Sequence, residues 1–539
     1  MTLPEAVDGR SHSLSVAALC TCTFVQAYLL ISIFPYAGYM SIDLIPALTE
    51  ENAGTYAGLL ASAFMAGRTI SAYPWGVVAD TYGRKPALIW SLLTSAAFSI
   101  MFGMSKSFTF ALVSRFLLGF CNSIQSTSKT TVTEIAKGDE KLEARGTGIA
   151  IGMRGVGFLL SPAIGGLLSD PVKQFPQSAL ATRFESTLIK CPFLLPNLVG
   201  FLLCLISAFS VEFFVDETLP EGRRRDAVHC FGDACRGIGK QFRCIYERAI
   251  RRTCVGRLSP QADGHAAENL LLTNQHAVNT DGTVNGVEEG HGSINSALEE
   301  DIREEDEESM NAIWRRQSTR EHLVAYWLFS FVVVAVDEAF PLYCISRHGG
   351  LSLTEASIGK ILSAAGVIFV LGQYYAFASL VDRLGLYKAL SVGALLGVPI
   401  TALIPLANLM NSSSLEDEIN ISTTAFLVVL MGVAKIFTCL FFAGITIATN
   451  RTVPASLRAK TNGLSMVGGS ISKGLGPIFA GLLVALSFSV PNKEVTQYGA
   501  LFIWSTIGAM GVLVYFYIDI LAARARQVQP SSAEEGTSI

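Results

Sequence analysis

Long apolar segments separated by short polar loops dominate the pattern of this chain. Six segments precede residue 220 and six follow residue 320, and we predict each as a membrane-spanning helix. About 20 apolar residues, each rising about 1.5 Å, cross a hydrocarbon layer about 30 Å thick. The predicted spans are residues 14–40, 54–79, 86–105, 108–132, 146–169, 192–216, 322–346, 357–381, 386–409, 422–447, 458–485 and 497–522. The pattern predicts an all-α polytopic membrane protein with twelve transmembrane helices.

Composition agrees with this prediction and excludes several classes of protein. Of the 539 residues, 50% are hydrophobic and 16% are charged, whereas about a quarter are charged in soluble domains. The sequence has no Ser/His/Asp constellation, no clustered metal ligands and no phosphate-binding glycine loop. We therefore predict that the protein is not an enzyme and takes no cofactor, no metal and no nucleic acid.

Basic residues concentrate in alternate loops, which orients the spans. Arg84 and Lys85 follow the second span, Arg383 and Lys388 follow the eighth, and Arg451 follows the tenth. Because short basic loops stay in the cytoplasm, both termini and the central loop are predicted to be cytoplasmic. The host membrane is left open between the plasma membrane and a vacuolar or other endomembrane.

The two halves carry an internal repeat. Superposing span five on span eleven aligns Gly148 with Gly463, Pro162 with Pro477, and Gly166 with Gly481. We predict two pseudo-symmetric six-helix bundles at residues 1–220 and 321–525, followed by a cytoplasmic tail at 526–539. Residues 221–320 join the bundles and pass from a basic stretch to an acidic, low-complexity one, which predicts a largely disordered cytoplasmic linker.

Several motifs resemble those of the major facilitator superfamily. Residues 76–85 (GVVADTYGRK) resemble its signature loop, and residues 115–119 (RFLLG) are similar to its fourth-span arginine motif. The fifth span resembles the motif of proton-coupled antiporters, represented here by Gly157, Ser161, Pro162, Gly165 and Gly166. Residues 34–36 (FPY) and 216–220 (DETLP) further resemble the zinc-induced-facilitator-like branch of drug:proton antiporters. The resemblance implies the major facilitator fold and transport by alternating access.

The signature loop places charges at unfavourable helix ends. Asp80 lies at the C-terminal end of one helix, and Arg84 and Lys85 start the next, so the helix dipoles oppose all three. These charges therefore need partners that offset the dipoles: Asp80 pairs either with Arg84 or with another helix across the seam between the bundles. We predict a conformational latch formed by Gly76, Asp80, Gly83, Arg84 and Lys85; the alternative is a plain positive-inside anchor.

Ionisable residues near the middle of the spans predict a charged cavity, because such groups are costly in lipid and face the interior. Five bases (Arg115, Lys129, Arg154, Lys435 and Lys473) accompany two acids, Asp337 and Glu338. Since unpaired positive charge is unfavourable at low dielectric, the excess predicts an anionic substrate. The predicted substrate-binding residues are Tyr28, Ser32, Asn122, Gln125, Lys129, Arg154, Gln373, Tyr374, Lys435 and Lys473. Arg115, Asp337 and Glu338 are predicted to couple protons. For any single base, a structural salt bridge or snorkelling to an interface is the alternative.

These features together predict a secondary-active transporter that exchanges protons for a small organic anion or zwitterion, with metal chelators among the candidates. Its predicted partners are this substrate, protons and the lipid bilayer, and it is predicted to be a monomer. A transporter-like receptor that signals through the central loop and a proton-independent uniporter are the alternatives.

Overall fold

The computed structural model describes residues 4–50, 52–136, 140–219, 310–347, 349–411, 420–488 and 498–528. All regular secondary structure in these ranges is helical. They fall almost entirely in one compact unit, residues 1–225 and 313–539. A second unit, residues 226–312, contains most of the predicted linker and lies outside the described residues except for 310–312.

The helices follow the predicted spans closely. In the first half they are α1 (Pro4–Ile31), α2 (Ala37–Leu44), α3 (Ala53–Tyr82), α4 (Arg84–Gly103), α5 (Phe108–Phe120), α6 (Ile124–Ile135), α7 (Glu140–Leu168), α8 (Pro171–Gln174), α9 (Ala179–Arg183), α10 (Glu185–Lys190) and α11 (Leu194–Phe214). In the second half they are α12 (Met310–Arg315), α13 (Gln317–Ile345), α14 (Glu355–Leu384), α15 (Leu386–Gly397), a 3₁₀ helix (Pro399–Leu403), α16 (Leu406–Asn411), α17 (Ile421–Arg451), α18 (Ala455–Phe488) and α19 (Gly499–Val528).

Ten segments of the described chain are long and apolar enough to cross a membrane, and each coincides with a predicted span. The all-α polytopic prediction is therefore confirmed. The two remaining predicted spans correspond to α3, which carries Arg68 near its middle, and to the pair α5 and α6.

The predicted fourth span is a broken helix. Helix α5 ends at Phe120 and α6 begins at Ile124, and neighbouring helices satisfy the interrupted backbone. The Ser91 hydroxyl accepts a hydrogen bond from the Ser123 amide at 2.8 Å and donates to the Cys121 carbonyl at 2.9 Å. The Trp75 indole donates to the Phe120 carbonyl at 2.9 Å. Irregular backbone at membrane depth requires such internal partners.

Helical structure also extends into the end of the predicted linker. Helix α12 and the start of α13 occupy residues within 310–320. Packing holds these residues in place: Trp314 stacks on Trp327 with ring centroids 6.1 Å apart, and Ile313 is buried against Leu323. The bundle boundaries themselves remain a prediction.

The two halves meet along two helix pairs, α3 with α18 and α7 with α14. A Cβ atom at Gly54 would lie 2.7 Å from the Gly481 carbonyl oxygen, and one at Gly359 would lie 2.6 Å from that of Pro162. Contacts this close require glycine. The face of the protein near Gly54 and Gly359, which we call the closed face, is therefore sealed.

At the opposite face, which we call the open face, three described glycines of α3, α7 and α18 make no such contact. Gly148 on α7 and Gly463 on α18 would each find no neighbour within 4 Å of an added Cβ, and the same holds for Gly76 on α3. Since the signature loop lies at this end, the open face is the one predicted to be cytoplasmic.

Candidate functional site

Four cations from four helices gather between the halves. Arg68 on α3, Lys129 on α6, Arg154 on α7 and Lys473 on α18 form what we call the cation cluster. Each of these four side chains repels the other three by Coulomb interaction. Lys129 is exposed, and because Arg68 and Arg154 both act on it, this exposure is to the space between the helices rather than to lipid.

The described neighbours of the cation cluster are mainly neutral. Arg68 Nη2 donates to Gln125 Oε1 at 2.5 Å, and the Gln373 amide lies against Gly155, next to Arg154. Lys473 Nζ lies 5.6 Å from the Phe442 ring centroid and 6.0 Å from that of Tyr326. Arg154 lies 5.6 Å over the Phe158 ring. These contacts hold the cations through dipoles and aromatic faces and leave their charge uncompensated.

The predicted residues Lys129, Arg154, Lys473, Gln125 and Gln373 thus come together in one place. Arg68 and Tyr326 are not among the residues that the sequence predicts for the site. The signal for Arg68 was available, since it lies near the middle of a predicted span, where a charge indicates function.

Lys435 and the two acids form a second group beside the cluster. Lys435 makes an ion pair with Asp337 in a small pocket bounded by α13, α15 and α17. Asp337 also attracts Lys473, so it connects the pocket to the cation cluster. The neighbouring Glu338 is 1% exposed, and its Oε2 atom has no hydrogen-bond partner among the described residues.

Arg115 lies across the seam from Glu338 and attracts it. Its guanidinium donates to the Leu29 carbonyl at 2.9 Å and to the Leu30 carbonyl at 3.3 Å. The rings of Phe64 and Phe102 flank it at 5.0 and 5.5 Å. Arg115 is therefore buried in the first half and separate from the open cation cluster.

The two predicted substrate-binding residues of the first span, Tyr28 and Ser32, lie in helix packing instead. The buried Tyr28 hydroxyl donates to the Pro196 carbonyl on α11 at 2.6 Å. The buried Ser32 backbone abuts Gly165 on α7. The side chain of Tyr374, on α14, lies outside the described residues.

Two buried amides of the first half, one of them at the break between α5 and α6, have unused hydrogen-bonding groups in the described part of the chain. Asn122 and Gln26 are 3% and 1% exposed, and neither their nitrogen nor their oxygen finds a partner in the described part of the chain. Buried amides are normally satisfied, so a polar ligand or water is expected beside them. Asn122 was a predicted substrate-binding residue; Gln26 was not.

The residues of the predicted antiporter motif form packing contacts of α7. Gly157 lies against Ala27 on α1, Gly165 against Ser32, and Gly166 against the Glu355 backbone on α14. The Ser161 hydroxyl donates back to the Gly157 carbonyl at 2.5 Å. Pro162 lies against Gly359, and the neighbouring Ala163 amide donates to Ser363 at 3.0 Å. Pro477 and Gly481 on α18 are the equivalents of Pro162 and Gly166 in the internal repeat. They lie against Gly58 and Gly54 on α3 and so close the second helix pair.

Polar contacts reinforce the closed face. Arg347 pairs with Glu50 at 3.1 Å, and the Tyr39 hydroxyl donates to the Leu353 carbonyl. Lys173 donates to Asp170 at 2.6 Å, which raises the pKa of the Lys173 ammonium. The first two of these contacts join the two halves of the chain.

At the open face, the predicted latch residues pair within the first half. Arg84 lies 3.0 Å from Asp80 and 2.9 Å from Glu134, and Lys85 lies 3.6 Å from Glu212. The Asp80 side chain is 72% exposed, which leaves it accessible from the open space. Gly83 has φ +116°, which favours glycine, and Gly76 is exposed.

Glu217 supplies the compensation that the helix dipole of α4 requires. Its carboxylate accepts from the backbone amides of Arg84 and Lys85 at 2.9 and 3.1 Å, so an anion caps the helix that begins with two cations. Sequence reasoning had noted Glu217 only as part of a motif.

The chain resembles known proteins over nearly its whole length. Residues 19–415 and 322–538 match the Major Facilitator Superfamily. A probable peptide/nitrate transporter of Arabidopsis thaliana is 27% identical over 475 residues, which cover 87% of this chain and 81% of the relative. Protein ZINC INDUCED FACILITATOR 1 of the same plant is 25% identical, with coverages of 90% and 87%. The crystal structure of the human organic anion transporter MFSD10 has a similar fold, with a TM-score of 0.52, 16% identity and coverages of 95% and 99%.

Proposed function

The chain belongs to the Major Facilitator Superfamily and is a membrane transporter, and from this premise we propose that it exports a small zwitterion or organic anion in exchange for protons. The substrate binds between the halves at the cation cluster. The halves then rock so that the site faces each side in turn. Metal chelators that carry carboxylates are among the candidate substrates.

The asymmetry between the two faces supports alternating access. Glycines and two cross-half polar contacts seal the closed face, whereas the ion pairs that the described latch residues make at the open face all lie within the first half. In the opposite state, the exposed Asp80 is free to meet the second half. The latch therefore breaks and forms with the opening of the predicted cytoplasmic side.

One observation carries the proton-coupling proposal: the carboxyl group of Glu338 is buried beside Arg115 across the seam, and its Oε2 atom has no hydrogen-bond partner among the described residues. An ionised carboxylate without full hydrogen bonding is costly at low dielectric, so proton binding lowers the free energy of the sealed state. Separation of the halves removes Arg115 and admits water. Proton binding and conformation are therefore linked at this residue.

The sign of the coupling follows from the substrate's charge. An ammonium group near Asp337 competes with protons for the acids of α13, while the carboxylate of the same molecule binds the cation cluster. Competition of this kind produces antiport. A zwitterion is therefore the substrate class that fits antiport best.

A second candidate function is symport of protons with a pure anion. Asp337 interacts both with Lys473 in the cation cluster and with Glu338. An anion without an ammonium group adds negative charge near these acids and favours their protonation. Proton and anion would then travel together.

Proteoliposomes that contain a pH-sensitive dye test both functions. Organic acids, amino acids and chelators are added outside, and the internal pH is followed. Antiport of an entering substrate makes the interior more alkaline, and symport makes it more acidic. If none of these compounds crosses the membrane, the result would favour a receptor. If one crosses without any pH change, the result would favour a uniporter.

Glu338→Gln isolates the coupling step. We expect it to abolish uphill accumulation driven by a pH gradient and to retain exchange of labelled for unlabelled substrate. Glu321→Gln is the matched control on the same helix, because Glu321 pairs with Arg524 at 2.7 Å, away from the cluster. Proton-driven accumulation by Glu338→Gln at the control's level would contradict the assignment.

A further inference from the structure

The cation cluster has a minimum charge that sets a lower limit on the substrate's charge. Lysine side chains can lose their protons on burial, but arginine side chains remain charged in proteins. Arg68 and Arg154 therefore keep at least two positive charges in the cluster, and Lys129 and Lys473 bring the total to four when protonated. All four repel one another.

The described protein supplies no matching negative charge. None of the four cations makes an ion pair with a described carboxylate, and the one acid that attracts Lys473 is Asp337, which already pairs with Lys435. The remaining described contacts of the cluster are to the amides and aromatic rings given above. As far as the described residues go, compensation is therefore left to the molecule that occupies the site.

A single carboxylate is too small for this task. It carries one negative charge, whereas the two arginines of the cluster carry two positive charges, and the four cations come from four different helices and from both halves of the chain. A molecule with one anionic group leaves at least one arginine uncompensated.

We propose that the substrate presents at least two anionic groups to the cation cluster, as a dicarboxylate, a tricarboxylate or a phosphate ester does. This inference rests on the proposed transport function and narrows its substrate class. Monocarboxylates and neutral solutes are poor ligands for the same site. An ammonium group elsewhere on the molecule, toward Asp337, is compatible with it.

A charge series on one carbon skeleton tests the inference. Succinate, succinamate and succinamide carry two, one and no negative charges and have nearly the same shape. Thermal unfolding of the purified full-length protein is measured with each, at equal ionic strength. We expect succinate to bind about tenfold more tightly than succinamate, a difference of about 1.4 kcal/mol, and succinamide to produce no shift. Citrate and glycerol 3-phosphate distinguish carboxylates from a phosphate ester.

Variants of the cation cluster test whether its charge causes the preference for succinate over succinamate. Arg154→Gln should reduce the preference for succinate over succinamate to less than about threefold, and Arg154→Lys should restore part of it. Lys388→Gln removes an exposed cation of α15, outside the cluster, and should leave the preference unchanged.

Three results would overturn the inference: equal protection by succinate and succinamate, an unaltered preference in Arg154→Gln, or no shift with any of the anions. Proton coupling is tested separately by the vesicle assay. If succinate binds more tightly than succinamate but no compound moves protons in the vesicle assay, the proposed antiport is rejected and the proposed site for a multiply charged anion stands.

Discussion

Gly166→Ala should open the closed face, because a single methyl group there meets the backbone of α14. The added Cβ would overlap the Glu355 carbonyl oxygen and lie 3.1 Å from its carbonyl carbon and 3.2 Å from the Gly359 Cα. The atoms are backbone, so α7 and α14 must separate by roughly 1 Å. Overpacking of this kind costs about 1–3 kcal/mol. The cost applies only while the face is closed, so the population of molecules in which this face is open should rise about 5- to 150-fold.

Cysteine labelling measures this change. Ser363 on α14 accepts a hydrogen bond from α7 at the same seam, and a cysteine introduced there reacts with a maleimide only when the helices part. Labelling of the parent protein provides the background from native cysteines. Gly148→Ala is the matched control, because it makes the same substitution on the same helix at a position with no neighbour within 4 Å. Equal labelling rates in the two variants would refute the reasoning that backbone contact seals this face.

Other parts of the molecule yield further predictions. Ser91→Ala leaves the backbone at the break between α5 and α6 unsatisfied and should lower the free energy of unfolding by about 1–3 kcal/mol in thermal melts. Ser210→Ala should change it little, because the described hydrogen bond of that exposed hydroxyl is to its own helix, at the Ile206 carbonyl. Glu217→Gln weakens the cap of α4 and should cost about 1–2 kcal/mol. Glu212→Gln, at a side chain 58% exposed, should cost about 0–1 kcal/mol, and an equal loss in both variants would argue against a special role for the cap. Arg347→Ala removes an ion pair whose arginine is 72% exposed and should raise labelling at position 363 by at most about fivefold, with recovery when Glu50 and Arg347 exchange places.

Sequence resemblance identified the family before any coordinates were considered. The signature loop and the fifth-span motif predicted a major facilitator transporter, and residues 34–36 and 216–220 predicted a relationship to zinc-induced facilitators; both relationships are confirmed. Such motifs are recognisable because they combine glycine, proline and charge at fixed spacing within an otherwise uniform apolar background.

The membership of the binding site was harder to predict. Five bases near mid-span were predicted to share one charged cavity, yet Lys435 has a carboxylate partner, Arg115 is bonded to backbone carbonyls, and three others join Arg68 in the open cluster. Span position specifies the depth of a side chain in the membrane. The rotation of each helix about its axis, and therefore the partners of that side chain, depends on packing against other helices.

The apolar pattern by itself determined the helical class, the position of the spans and the duplication, because hydrocarbon admits only self-satisfied apolar helices and a repeat survives as paired glycines and prolines. Tertiary structure decided the break in the fourth span, the anionic cap on α4 and the separation of paired from unpaired cations. Each of these depends on contacts between residues distant in the chain, such as Ser91 with Ser123 or Glu217 with Arg84, and no local pattern encodes those distances.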